Sequence, residues 1–229
     1  MSKEGFEVVY EDNHLIAVSK SPGILVQGDQ TGDLPLSEMV KEYIRNKYKK
    51  PGNVFCGVIH RIDRPVSGLV ILAKTSKGLE RMSKLFLERK IQKTYWAVVT
   101  NRPEAEEGEL VNWIVKEENK NIVHCFTKPK HNAKEARLCY KLLGKVGRDY
   151  LLEVEPYTGR PHQIRAQLAK MGCPIKGDMK YGSKTKVEGG AIMLHSRKLA
   201  FEHPIKKEPI RIEVTVPMHD DWRKFRQLG

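Results

Sequence analysis

Apolar and polar residues alternate most cleanly near the C-terminus, where Ile210, Ile212, Val214 and Val216 are separated by Arg211, Glu213 and Thr215. That period of two predicts a strand with one buried face. Glu7 to Tyr10 and Leu15 to Ser19 read as short strands, broken by the turn signals Asp12-Asn13 and Ser21-Pro22-Gly23. The period then changes. Leu36, Met39, Val40, Tyr43 and Ile44 keep helical spacing, with Pro35 suited to the first turn and Pro51-Gly52 as the stop. Ser76 can cap a second helix whose apolar stripe is Leu79, Met82, Leu85 and Phe86. From there strands dominate: KTYWAVVT, a meander over Glu109 to Val115 and Asn121 to Phe126, and a hairpin of Ala136 to Leu143 with Tyr150 to Glu155 around GKVGRD. TGRPHQIRAQLAKMGCP carries helix punctuation, Pro161 near its start and Gly172 with Pro174 past its end, and an inward stripe of Ile164, Leu168 and Met171. A short helix over Trp222 to Gln227 closes the pattern.

Neighbouring strands interrupted by few helices predict an α+β fold on a largely antiparallel or mixed sheet. No repeat, low-complexity tract or linker divides the chain, so residues 1–229 read as a single domain.

Charge narrows the choice of partner. Lys and Arg number 41 against 28 Asp and Glu, a net of +13. Residues 128–186 hold fourteen basic and five acidic side chains, a net of +9. An excess of that size attracts polyanions through phosphate neutralisation and counterion release. The opening MSKEGFEVVYEDN has no basic stretch followed by a long apolar run, and the longest apolar stretches fall far short of a membrane span, so a cytoplasmic protein with no membrane partner is expected. Cys56, Cys125, Cys139 and Cys173 lie far apart with no C-x-x-C pair, which predicts reduced thiols and no metal. Neither a P-loop nor a strand-borne G-x-G-x-x-G is present, so no cofactor is expected.

Four constellations bear on chemistry. In GVIHRIDRPVSGLVILAKT, residues 57–75, Asp63 stands between Arg61 and Arg64 and just before an apolar strand. A carboxylate so flanked stays ionised near neutrality, which suits a nucleophile or base, although a turn aspartate in an ion pair gives the same pattern. Ser67-Gly68 permits close backbone approach there. In GRPHQIR, Arg160, His162, Gln163 and Arg165 crowd a helix start, where free N–H groups favour an anion. In KTYWAVV, Lys93 and Tyr95 share one strand face and Trp96 takes the other, so a cation and an aromatic ring sit together as base stacking requires. In IMLHSRKLAFEHP, His195 and His203 lack the carboxylate or cysteine spacing of a metal site and read as hydrogen-bonded core histidines, with Ile192, Met193 and Leu194 lining a pocket.

HRIDRPVSGLVILAKT, KTYWAVV, GRPHQIRAQLAKMGCPIKGDMKYG and LHSRKLAFEHP, in that order, resemble the RluA-type pseudouridine synthase family, and the resemblance begins as early as SKSPGILVQ. It implies one catalytic domain on a long bent mixed sheet with a central cleft, acting as an isomerase that converts uridine to pseudouridine in ribosomal or transfer RNA. Metal and cofactor are not implied, and a monomer is expected. On the same resemblance Asp63 is the catalytic aspartate, Tyr95 the tyrosine packing on the base, and Arg165 the arginine paired with the aspartate. Arg61 then holds the flipped-out nucleotide, and Leu194 helps shape the base pocket; Lys93, Arg160, His162 and Gln163 are further candidates for binding RNA. Arg64 matches no family position and reads as a phosphate contact or a surface charge.

Val66 stands where the family usually has Thr, and Ser196 where it often has Ala. The catalytic motifs begin too early for the small RNA-binding domain that many relatives carry at the N-terminus, which would leave RNA affinity to the catalytic domain. The chemistry is consistent with one carboxylate: uracil must be detached, rotated and rejoined outside the stack, in a pocket that excludes water. The competing reading is an RNA-binding or ribosome-assembly protein that keeps the fold with little activity.

Overall fold

The structure is a computed structural model and describes residues 5–228. Few helices and many strands make it α+β, and the chain divides into two compact units. The first comprises residues 5–92 and 196–215, the second residues 93–195 and 216–228.

In the first unit β1 (Phe6–Glu11) pairs antiparallel with β2 (Leu15–Lys20), and β2 pairs antiparallel with β4 (Ser67–Ala73). The two-residue strand β3 (Gly57–Val58) lies on β4. The order continues from β4 to β10 (Leu194–Glu202), which pairs in turn with β11 (Pro209–Glu213). All seven residues of β4 are buried, which explains its unbroken apolar run. Leu15, Ala17, Leu69 and Ile71 from one sheet face form a core cluster with Met82 of α2 (Ser76–Leu87), Leu199, Phe201, Ile212 and Val214. At roughly 1.5–3 kcal/mol per fully buried aliphatic side chain, such a cluster supplies much of the driving force for the unit.

The first helix, α1 (Leu36–Tyr48), starts after Pro35 in extended conformation and ends earlier than the Pro51-Gly52 signal suggests. Lys49 adopts the left-handed conformation at φ 48° and closes the helix, its N–H reaching the carbonyl of Asn46. The cap of α2 is Thr75 rather than Ser76, its Oγ1 accepting the amide of Gly78 at 3.1 Å. Strand β10 begins at Leu194, the last of the three residues that read as pocket lining. Its first positions Leu194, His195 and Ser196 are all buried, so alternation is confined to Leu199–Glu202.

In the second unit β5 (Gln92–Val99), β9 (Asp149–Pro156), β8 (Lys134–Val146), β6 (Glu107–Glu117) and β7 (Ile122–Phe126) follow one another as antiparallel neighbours. The predicted hairpin is present, with Val146 facing Asp149 across Gly147-Arg148 and a bulge between Leu142 and Gly144. Helix α3 (Gln163–Lys170) packs on β6 and β7. Its burial is not limited to an apolar stripe: Gln163, Arg165 and Gln167 are as deeply buried as Ile164 and Leu168. The Gln167 Nε2 explains how, donating to the carbonyls of Leu110 and Ala136 at 3.1 Å and to Asn112 Oδ1 at 2.9 Å. The chain ends in α4 (Asp220–Arg223) and a 3-10 turn at Arg226–Leu228, with Trp222 and Phe225 buried. No helix among the described residues is long and apolar enough to cross a membrane.

Candidate active site

In the first unit Asp63 lies on a short loop closed at both ends. Before it, His60 Nε2 accepts the backbone N–H of Ile71 in β4 at 3.0 Å, and the imidazole stacks on Phe86 at 4.7 Å. After it, the amide of Val66 donates to the Asp63 carbonyl at 3.0 Å. Gly68 is then obligatory: at φ 108° an added Cβ would stand 2.3 Å from the carbonyl oxygen of Ser196. The loop is therefore moulded onto two buried strands, and the half-buried Asp63 inherits their rigidity.

Lys20 is the residue that sequence reasoning missed. It ends β2 with a side chain only 1% exposed, and its Nζ donates to the carbonyls of Ser21 at 2.9 Å and Arg64 at 3.2 Å. Burial pushes its pKa down to about 7, with the charge of Asp63 acting against that fall and Arg64 adding to it. A buried ammonium beside a candidate catalytic carboxylate is a functional signal. In the sequence the only hint is a lysine directly before the Ser21-Pro22-Gly23 turn, at a position where the strand pattern calls for an apolar residue.

Arg64 points away from this chemistry. Its Nε donates to the carbonyl of Gly23 at 2.9 Å, and its Nη1 pairs with Asp33 at 2.7 Å at an exposed position. Arg61 is exposed.

The second unit holds the other candidates. Tyr95 and Trp96 take opposite faces of β5, opposite Val154 and Glu153 respectively. Lys93 Nζ donates to the carbonyl of Thr158 at 3.3 Å. Thr158 is bound in turn to Gln163, whose Oε1 accepts the Thr158 hydroxyl at 2.7 Å and the Arg160 amide at 3.0 Å, while its Nε2 donates to the carbonyl of Arg137. The Gln163 amide is thus occupied in shaping the turn that starts α3. Arg160 Nε reaches the carbonyl of Glu135 at 3.1 Å. His162 takes the left-handed conformation at φ 48°, a strained choice for a non-glycine residue, and its Nδ1 lies 2.8 Å from the hydroxyl of Tyr181.

Arg165, 5% exposed, forms a two-point pair with Asp178: Nε to Oδ2 at 2.7 Å and Nη2 to Oδ1 at 2.9 Å. Its guanidinium lies 5.0 Å from the ring centre of Tyr181. Asp178 and Tyr181 belong to the GDMKYG segment, at the end of the stretch that carries the family resemblance. Leu194 is buried, as are Ile192 and Met193. His195 packs edge-on against Trp222 at 5.9 Å, and His203 Nδ1 accepts the amides of Ile205 and Lys206, so both are core histidines. Among the described residues no group of three or more His, Cys, Asp or Glu could hold a metal ion.

The family model for RNA pseudouridylate synthase matches residues 14–170, well over half the chain and running through both units. The chain belongs to the RluA-type pseudouridine synthases. The family makes it an isomerase acting on RNA. Among curated proteins, the tRNA pseudouridine synthase C of Vibrio parahaemolyticus is 30% identical over 98% of this chain and 95% of its own length. That of Vibrio cholerae is 32% identical over 90% of this chain and 89% of its own. The ribosomal large subunit pseudouridine synthase C of Rickettsia felis is 32% identical over 93% of this chain and 68% of its own length. Among solved structures, human RNA Pseudouridylate Synthase Domain Containing 4 superposes with a TM-score of 0.77 at 22% identity, covering 92% of this pseudouridine synthase and 88% of that chain. The shared fold is that of a pseudouridine synthase.

Proposed function

We propose that this pseudouridine synthase isomerises specific uridines in transfer RNA, with Asp63 as its essential carboxylate. The observation that carries the reading is the family's H-R-x-D aspartate, on a loop held by the fully buried β4, in a chain related along nearly its whole length to tRNA pseudouridine synthases. Support for transfer RNA comes from the two Vibrio tRNA enzymes, at 30% and 32% identity over 98% and 90% of this chain. Ribosomal RNA is the second reading, supported by the 32% identity to the Rickettsia felis enzyme.

In this reading residues 1–229 act as one catalytic domain, a monomer working in the cytoplasm. Tyr95 packs on the flipped uracil, Arg165 orients the aspartate, Arg61 holds the nucleotide open, and Leu194 gives the base an apolar wall. Lys93, Arg160 and His162 contact the RNA backbone, and Gln163 serves them by fixing the turn. The excess positive charge over residues 128–186 draws the RNA in. Family membership speaks against a protein that only binds RNA.

Mapping pseudouridine in total RNA from a deletion strain against its parent identifies the target: sites lost from transfer RNA support the proposal, and sites lost only from ribosomal RNA replace it with the second reading. Asp63→Ala should remove those sites while RNA affinity stays within a few-fold. Normal modification by that variant would overturn the assignment of Asp63.

A further inference from the structure

We propose that Asp178 is the positioning residue for Arg165 and that Tyr181 supports the pair; this rests on the catalytic reading of Arg165 given above. Asp178 is 1% exposed and belongs to the turn that follows α3 in the chain, thirteen residues beyond Arg165. Its backbone is fixed on both sides: its N–H donates to the carbonyl of Ile175, and its carbonyl accepts the amides of Tyr181 and Ser183. A carboxylate held so firmly gives Arg165 one orientation. Two parallel N–H···O bonds fix the plane of the guanidinium as well as its distance, which a single contact would not do. The Tyr181 ring adds a cation–π contact, its centre 5.0 Å from the guanidinium carbon. That ring is itself anchored, because its hydroxyl accepts the amide of Val123 at 2.9 Å and meets His162 Nδ1 at 2.8 Å.

The pairing also bears on the charge that Arg165 brings. Asp178 takes one hydrogen from Nε and one from Nη2. A buried arginine neutralised by its own aspartate brings oriented donors rather than a net positive charge. Such an arginine can align a carboxylate without binding it so tightly that its reactivity is lost.

The test compares Asp178→Asn and Asp178→Glu, alone and with Arg165→Ala, measuring kcat and KM on the purified target RNA together with melting temperature. Asp178→Asn keeps the shape and removes the charge; kcat should fall 10- to 100-fold with KM within threefold. Asp178→Glu keeps the charge and displaces it by one methylene, and it should lose at least fivefold in kcat even where the Asn variant fails to fold, because small misplacements at a reacting centre are costly. In the Arg165→Ala background either change should alter the residual rate by less than twofold. Wild-type kcat in Asp178→Glu, or an equal loss with and without Arg165, overturns the proposal. If Arg165→Ala alone leaves the rate unchanged, the catalytic reading of Arg165 is what fails.

Discussion

The ammonium of Lys20 donates a 3.2 Å hydrogen bond to the carbonyl of Arg64, the residue directly after Asp63. That carbonyl also accepts the amide of Gly23 at 2.7 Å, so the aspartate loop is pinned to the end of β2 by a buried charge and a backbone bond together.

Lys20 gives this protein a stability that depends on pH in a direction unusual for a lysine. Burial lowers its pKa to about 7 in the folded state, against about 10.4 for a free side chain. Between those values the unfolded chain binds the proton and the folded chain does not, so stability rises with pH across that window. Below pH 7 the full cost of burying the ammonium is present; it is relieved as pH climbs toward 10. Lys20→Met abolishes this dependence. The difference in melting temperature, variant minus wild type, should therefore fall between pH 6.5 and pH 9.5. A constant difference would show that Lys20 does not titrate there. Loss of the tether should also lower kcat about tenfold, since the loop carrying Asp63 gains freedom.

Arg64→Ala should be nearly silent. Its side-chain pair with Asp33 and its Nε bond to the Gly23 carbonyl are both exposed, and exposed ion pairs contribute roughly 0–1 kcal/mol. The carbonyl that Lys20 and Gly23 bind is backbone and survives the change. Plotted as log affinity against log salt, RNA binding should keep its slope in Arg64→Ala, whereas loss of a phosphate contact reduces the slope by about one. A reduced slope would restore the phosphate role that the sequence allows for Arg64.

Most strands and helices were legible because periodicity reports burial directly: β5, β6, β7, the hairpin of β8 and β9, and α3 all lie within a few residues of their predicted spans. Unbroken burial over Leu194–Ser196 hid the start of β10, and α1 stopped early because Lys49 could take a left-handed conformation that glycine normally supplies. The place of Asp63, just before a buried strand, was legible from the apolar run behind it. Lys20 and Asp178 were not, for one physical reason. A charged residue counts as solvent-exposed until a partner distant in sequence is placed beside it, and no local pattern records Arg64 beside Lys20 or Arg165 beside Asp178.

Gly68 marks the least tolerant position of the aspartate loop. Alanine there would need a left-handed backbone at φ 108° and would drive its methyl to 2.3 Å from the Ser196 oxygen and 2.7 Å from the Ser196 nitrogen. Neither obstacle is the end of a flexible side chain. Gly68→Ala should destabilise the protein by on the order of 3 kcal/mol or more, seen as a fall in the denaturant midpoint or as failure to accumulate folded. A variant melting within 2 °C of wild type, roughly a 1 kcal/mol effect at this length, would mean that β4 and β10 can separate at little cost.

Ser196 is the opposite case, a position where less is better. Its side chain is 0% exposed, and its Oγ has no hydrogen-bond partner among the described residues. An unsatisfied buried hydroxyl costs about 1–3 kcal/mol relative to one left in water. Alanine removes the hydroxyl and leaves a space no larger than one oxygen atom. Ser196→Ala should therefore raise the melting temperature by about 2–4 °C, the shift that about 1 kcal/mol produces at this chain length, with the rate of pseudouridine formation unchanged. A lower melting temperature would show that the hydroxyl is satisfied in solution and that Ser196 stabilises the strand behind Asp63.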